Sequence, residues 1–195
     1  LPTIYIFAVS IRLPQEYPAM IYEKTKSALS ELFQSGEIDS EDPATQDDVA
    51  TEEQEDKEPQ PRVNGLVERN YAQHGYHLDA QVGTDQLLQA VQILDSHEFF
   101  IESITGVDWI KDGQLEVIYD FSRYDFEVCR VVIRTRIDRN KPVVPTITEI
   151  YSGANWHERE THDFFGIKFD GHPHLIPLLL PEDATFHPLL KDFKA

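Results

Sequence analysis

Cysteine is almost missing from this sequence: Cys129 stands alone among 195 residues. One thiol excludes an internal disulfide, a four-cysteine zinc site and an iron–sulfur cluster held by this chain by itself. Long apolar runs are missing too. The stretches from Ile4 to Val9 and from Leu175 to Leu180, the second broken by Pro177, reach about a third of the roughly 20 residues that a spanning helix needs. The opening LPTIYIFAVS lacks the basic n-region and the cleavage site of a secretory signal, so a reducing, cytoplasmic setting is expected. Positive charge is scarce, with 17 basic against 35 acidic residues and a net charge of −18. That balance argues against a nucleic-acid binder or an anionic-membrane binder, because phosphate would be repelled. The sequence has no G-x-S-x-G elbow, no G-x-x-x-x-G-K loop and no G-x-G-x-x-G fingerprint, so familiar nucleophile and nucleotide sites are absent.

What is present reads as one domain with additions, the expectation for this length. Residues 1–36 form an N-terminal extension in which Ile21, Tyr22, Thr25, Leu29, Leu32 and Phe33 recur at helical spacing before Gly36, which predicts an amphipathic helix. It can dock on the main domain or on another subunit. Residues 37–62 read as an acidic, solvated linker: Glu37 to Gln60 holds eleven acidic residues and one lysine, too little apolar surface to offset backbone entropy.

Residues 63–174 read as a compact α/β unit. Tyr76, Leu78, Ala80 and Val82 alternate as in a strand, and Thr84 can cap a helix striped by Leu87, Leu88, Val91 and Leu94. After Phe99–Ile104 and a turn at Lys111–Gly113, Leu115, Val117, Tyr119 and Phe121 alternate in one hairpin strand. Cys129, Val131, Ile133, Thr135 and Ile137 alternate in the next, with the turn through Ser122 to Asp125, and Thr146 to Ile150 suggests a further strand. The pattern implies a two-layer α+β fold, with a helix packed on a mixed, mostly antiparallel sheet. Arg130, Arg134 and Arg136 fall opposite the apolar set, on a solvated or partner-facing surface.

Five of the eight histidines lie after residue 152. HERETH resembles a zinc-protease helix only superficially, because His157 and His162 are five apart, about 140° around a helix, and cannot chelate one ion from one face. No metal ligand, cofactor-binding residue or catalytic residue is assigned. The spacing favours architecture: Asn155 with Glu158 as a capping box, Arg159 with Asp163 as an i, i+4 pair, and Gly166 just past the helix end. Each ion would need a partner on leaving water, so a helix carrying Glu158, Arg159, Glu160 and Asp163 beside Trp156, Phe164 and Phe165 suits a contact between two proteins, with Arg159 forking between carboxylates. Residues 175–195 extend this surface. Pro173, Pro177, Pro181 and Pro188 keep the tail extended, while Leu178, Leu179, Leu180, Phe186, Leu189, Leu190 and Phe193 are too apolar for free solvent. Either a neighbouring protein or the sheet of this same domain can cover them.

The run NWHERETHDFFGIKFDGHPHL, followed by LPED and HPLLKDF, resembles the signature of the thirty-kilodalton (C-type) subunit of NADH:quinone oxidoreductase, respiratory complex I. Trp156, Glu158, Arg159, Glu160, Asp163, Phe165, Gly166, Ile167, Phe169, Gly171, His172, Pro173 and Leu175 fall on the family pattern, and TGVDW resembles its T-G-V-D-[YW]. The sequence departs at Ile176 and Pro177, where the family carries basic residues, at Leu190-Lys191-Asp192, where an arginine is missing, and at His162, where the family has an aromatic residue. The related subunit of energy-converting membrane-bound nickel–iron hydrogenases and formate hydrogenlyases is similar, though looser at these places.

The resemblance implies a peripheral-arm subunit without a cofactor of its own. It would pack on a large subunit of the D type or the hydrogenase type, beside iron–sulfur subunits, and meet the membrane only through the complex, on the cytoplasmic side of the cell membrane. The expected partner interface is Trp156, Glu158, Arg159, Glu160, Asp163, Phe164, Phe165, His172, Leu178, Leu179, Leu180, Leu189, Leu190 and Phe193. The hydrogenase counterpart and an independent metal-dependent enzyme stand as alternatives.

Overall fold

The computed structural model describes residues 17–34, 63–124 and 128–194. The opening decapeptide, the acidic stretch 37–60 and Asp125 of the hairpin turn lie outside them. In sequence order the elements are α1 (Tyr17–Gln34), β1 (Gly65–Glu68), α2 (Tyr71–His74), β2 (Leu78–Val82), α3 (Leu87–Ser96) and β3 (Phe100–Trp109). A 3-10 turn (Ile110–Asp112) leads to β4 (Gln114–Arg123), β5 (Cys129–Asp138), β6 (Val143–Pro145), α4 (Ala154–Phe165) and β7 (Lys168–Asp170). The main sheet runs β1-β2-β5-β4-β3 and is antiparallel except where β2 lies along β5; β6 and β7 form a small parallel pair. The architecture is α+β, as the sequence implied.

Alternation along β4 and β5 builds the core. Leu115 faces Ile137, Tyr119 faces Ile133 and Phe121 faces Val131, and this apolar face meets Leu87, Ala90, Val91 and Leu94 of α3. Fully burying such side chains contributes about 1.5–3 kcal/mol each. Helix α1 docks on the same domain: Leu29 and Leu32 join the core, Thr25 Oγ1 lies 2.8 Å from His97 Nδ1, and Gln86 Nε2 donates to the Leu32 carbonyl at 3.1 Å.

Four local expectations change. All five residues of β2 are buried, because the opposite sheet face is not left to solvent. There Arg134 pairs with Asp79 at 2.8 Å, Arg130 with Glu102 at 2.5 Å, and Arg136 with Asp112 at 3.4 Å while lying over the Trp109 ring. The arginine stripe is therefore part of an ionic lattice. Gln86 rather than Thr84 precedes α3, without a side-chain cap. Gly153 rather than Asn155 caps α4, which leaves Glu158 free of any capping box. Thr146–Ile150 is a turn, not a strand, since Ile150 N–H and Tyr151 N–H both bond the Ile147 carbonyl and Glu158 takes up the groups at Thr146 and Ile147.

Helix α4 lies against β3, where Thr161 Oγ1 donates to the Ile104 carbonyl at 3.3 Å. This approach needs a glycine beneath Phe165. A Cβ at Gly106 would stand 2.8 Å from Phe165 Cε2 and nearer still to Cδ2. Gly106→Ala is expected to lower stability by about 1–3 kcal/mol through this overlap, read as a lower urea midpoint with altered Phe165 ring resonances. An unchanged midpoint would show that the ring yields freely.

Candidate functional site

Helix α4 and the residues after β7 form one polar device. The helix ends at Gly166, whose φ of 73° lies in the left-handed region and whose N–H bonds the His162 carbonyl, the stop that glycine supplies most readily. Its ionic side chains then turn inward. The Arg159 fork donates to two carbonyls, Nε to Ile176 at 3.0 Å and Nη2 to Pro177 at 2.9 Å, and its guanidinium sits 5.2 Å from the Trp156 ring centre. Asp163 Oδ2 accepts three successive backbone N–H groups, from Leu178 at 2.8 Å, Leu179 at 2.7 Å and Leu180 at 3.1 Å. Burial pushes the Asp163 carboxyl up, but the amides of Leu179, Leu180 and Leu178 outweigh it and hold the group below the usual carboxylate range.

The remainder of residues 175–194 is a strap folded back on this helix. His187 Nδ1–H donates to the Asp163 carbonyl at 2.8 Å, and Leu189 N–H donates to that of Phe164 at 3.1 Å. A second clasp lies at the end of β3. Asp108, 2% exposed, accepts Arg139 Nε at 2.9 Å, Arg139 Nη2 at 3.1 Å and Lys191 N–H at 2.8 Å, while Arg139 also reaches Asp192 at 2.6 Å. Burial raises the Asp108 carboxyl, and Arg139 with the Lys191 amide brings it below its ordinary value.

The predicted interface residues thus separate by role. Glu158, Arg159 and Asp163 are buried within this protein and find their counterparts here, contrary to the argument that such ions need a foreign polypeptide. Arg159 holds carbonyls rather than carboxylates, and it makes no i, i+4 pair with Asp163, because strap backbone groups reach both first. The His172 side chain is buried, Phe165 covers Gly106, and Phe164, Leu178, Leu180 and Leu190 are half-buried. Trp156 at 59%, Leu179 at 60% and Leu189 at 53% stand exposed, as do Glu160, Phe186 and Phe193. Phe186 and Phe193 stack with ring centres 5.6 Å apart. The site's polar anchors therefore lie inside and its apolar side chains outside. Among the described residues no group of three or more His, Cys, Asp or Glu is placed to hold a metal ion.

Sequence reasoning missed Arg139, Thr146 and His187 as holding residues. Asp108 lay within the TGVDW match, the one signal that could have singled it out.

A small α+β domain with a strap clasped to its last helix is the class of unit that fold and site define. A model of the family described as "Respiratory-chain NADH dehydrogenase, 30 Kd subunit" matches residues 80–195, more than half of the sequence, and the chain belongs to that family. It is 43% identical over 94 residues to the C-type subunit of NADH-quinone oxidoreductase from Roseiflexus sp. (strain RS-1), covering 48% of this sequence and 53% of that protein. It is 48% identical over 105 residues to the C/D-type subunit of NADH-quinone oxidoreductase from Citrobacter koseri, covering 54% of this sequence and 17% of that one. Among solved structures it is similar to a polypeptide in the membrane-bound sulfane sulfur reductase (MBS), an archaeal respiratory membrane complex. The TM-score is 0.55 at 31% identity, over 60% of this protein and 71% of that polypeptide. The chain spans about half the length of the curated relatives it matches.

Proposed function

We propose that this protein is a non-catalytic, peripheral-arm subunit of a membrane-associated NADH:quinone oxidoreductase. It packs against the large subunit and supports the path of electrons through neighbouring iron–sulfur subunits to quinone. The observation that carries this reading is the orientation of the strap: its polar backbone is clasped inward by Arg159 and Asp163, and Trp156, Leu179, Phe186, Leu189 and Phe193 are left in solvent. An exposed apolar set is costly unless a partner covers it. A relative whose name joins the C and D types in one protein supports a D-type large subunit as that partner. No helix among the described residues is long and apolar enough to cross a membrane. On the proposed reading the membrane is met through the complex, on the cytoplasmic face of the cell membrane.

A second reading, the equivalent subunit of a hydrogenase-type or sulfur-reducing membrane complex, is favoured by the likeness to the MBS polypeptide and by Ile176 and Pro177 in the strap. Purifying the assembly and identifying its other polypeptides separates the two.

The docking role is tested by the double variant Leu179→Asp and Leu189→Asp. Both side chains are exposed, so the isolated protein should melt as the parent does, within about 0.5 kcal/mol per site. Loss of anchors of this kind weakens binding by about 2 kcal/mol or more each, roughly 30-fold, so the large subunit should no longer co-purify. A fully retained complex would remove the strap from the interface.

A further inference from the structure

Glu158 and His172 meet at a buried point that neither clasp uses. Glu158 is wholly buried; its Oε1 accepts the Ile147 N–H at 2.8 Å, and its Oε2 lies 2.5 Å from Thr146 Oγ1 and 4.0 Å from His172 Nε2. The imidazole is fully buried as well, and its tautomer follows from its bonds. The His174 N–H donates to Nδ1 at 3.0 Å, so Nδ1 carries no hydrogen, and Nε2–H is left to donate to the Asn155 carbonyl at 3.3 Å. An imidazolium would break the first of these bonds.

Among the described residues no lysine or arginine reaches the carboxyl within ion-pair distance. Facing it are Tyr119 from β4, Thr146 from the turn after β6 and His172 from the root of the strap; facing the imidazole are Arg159, His174 and His162. An ionised pair here would leave water without enough donors to replace it, so the neutral pair is favoured.

We propose that Glu158 and His172 share one proton, that folding moves it from the imidazole to the carboxyl, and that the pair is a proton-linked lock at the root of the strap. In the open state between about pH 4.5 and 6.5 the carboxyl is ionised and the imidazole protonated. In the closed state burial reverses both preferences. It raises Glu158 to about 7 against the Thr146 and Ile147 hydrogen bonds, and it lowers His172. Wherever the closed carboxyl has kept its proton and the closed imidazole has lost its own, one proton is bound in either state, so the pair adds no pH slope there while both partners are present. Removing one partner exposes the slope of the other. The lock acts within this protein and needs no partner, so it stands or falls apart from the docking role.

The test is amide-exchange protection of Ile147 and His174 in the full-length protein at pH 6 and pH 8.5, after correction for intrinsic exchange. His172→Gln leaves the raised carboxyl alone: its protection should fall about tenfold as pH rises, since the closed form holds a proton that the open form has released. Glu158→Gln leaves the lowered imidazole alone, and its protection should rise over the same interval. Parallel slopes in the two variants would overturn the proposal. Should either variant fail to fold, nitrogen-15 shifts of the His172 ring in the parent protein decide. A neutral ring protonated at Nε2 at pH 6 supports the lock, and an imidazolium at pH 6 overturns it.

Discussion

Asp163→Ala is expected to free residues 178–180 from α4 while the sheet stays folded. One carboxylate oxygen serves three successive amides, and alanine leaves all three without an acceptor. Hydrogen bonds to a charged group contribute roughly 1.5–3 kcal/mol each; because these share one oxygen, the combined loss is set at roughly 2–5 kcal/mol. The Leu178, Leu179 and Leu180 amides should lose most of their exchange protection, and those of β4 and β5 should keep theirs. The effect also has a pH signature. The Asp163 carboxyl is held below its ordinary value, so its contribution is complete above about pH 4 and disappears as pH falls through the depressed value. The parent protein should release its strap in acid, and Asp163→Ala should show no such step. Asp163→Asn, which keeps an oxygen acceptor without the charge, should lie between them. Protected strap amides in Asp163→Ala would mean that Arg159 and the His187 contact suffice.

How much of this could be read from the sequence depends on the range over which each interaction acts. The hairpin of β4 and β5, the stripe of α3 and the end of α4 at Gly166 follow from patterns local to a few residues, and the α+β class follows from their order. The signature around α4 was enough to suggest the family. Partners on distant backbone of the same polypeptide were hidden. Arg159 and Asp163 are four apart and read as a helical ion pair, yet each finds strap groups 15 to 18 residues further on, and no side-chain pattern encodes a carbonyl or an amide as a destination. The prolines led to the expectation of an extended tail whose apolar side chains a neighbouring protein or this domain's own sheet would cover, but nothing in them indicated that the backbone between them is gripped by α4. The strand expected at Thr146–Ile150 failed for the same reason. Its β-branched residues are suited to a sheet, and a carboxylate on α4 diverts Thr146 and Ile147 from one.

The second clasp carries the other large expected effect. Asp108 is 2% exposed and is balanced by one cation, Arg139, which lies 31 residues away and grips it with two N–H groups. Arg139→Leu would leave that carboxylate buried with only the Lys191 amide, and breaking a buried pair from one side costs about 3–5 kcal/mol. Asp108→Ala removes the charge that Arg139 was placed to meet, yet Asp192 still engages the guanidinium, so this change should cost less. The double variant should then be more stable than the sum of the two losses by about 1 kcal/mol or more, because no stranded charge remains. The pH slope should also change sign. In the parent protein Asp108 sits below its ordinary value, so stability from this group is lost on acidification. Without Arg139 burial dominates and the carboxyl rises above its ordinary value. The folded state then holds a proton that the unfolded state has released, and stability falls as pH increases from about 4 upward. Urea midpoints of Arg139→Leu measured at pH 4.5 and pH 7 decide the matter: a higher midpoint at pH 4.5, relative to the parent's own change, is the expected result, and parallel behaviour of the two proteins would show that solvent reaches Asp108 once the arginine is gone.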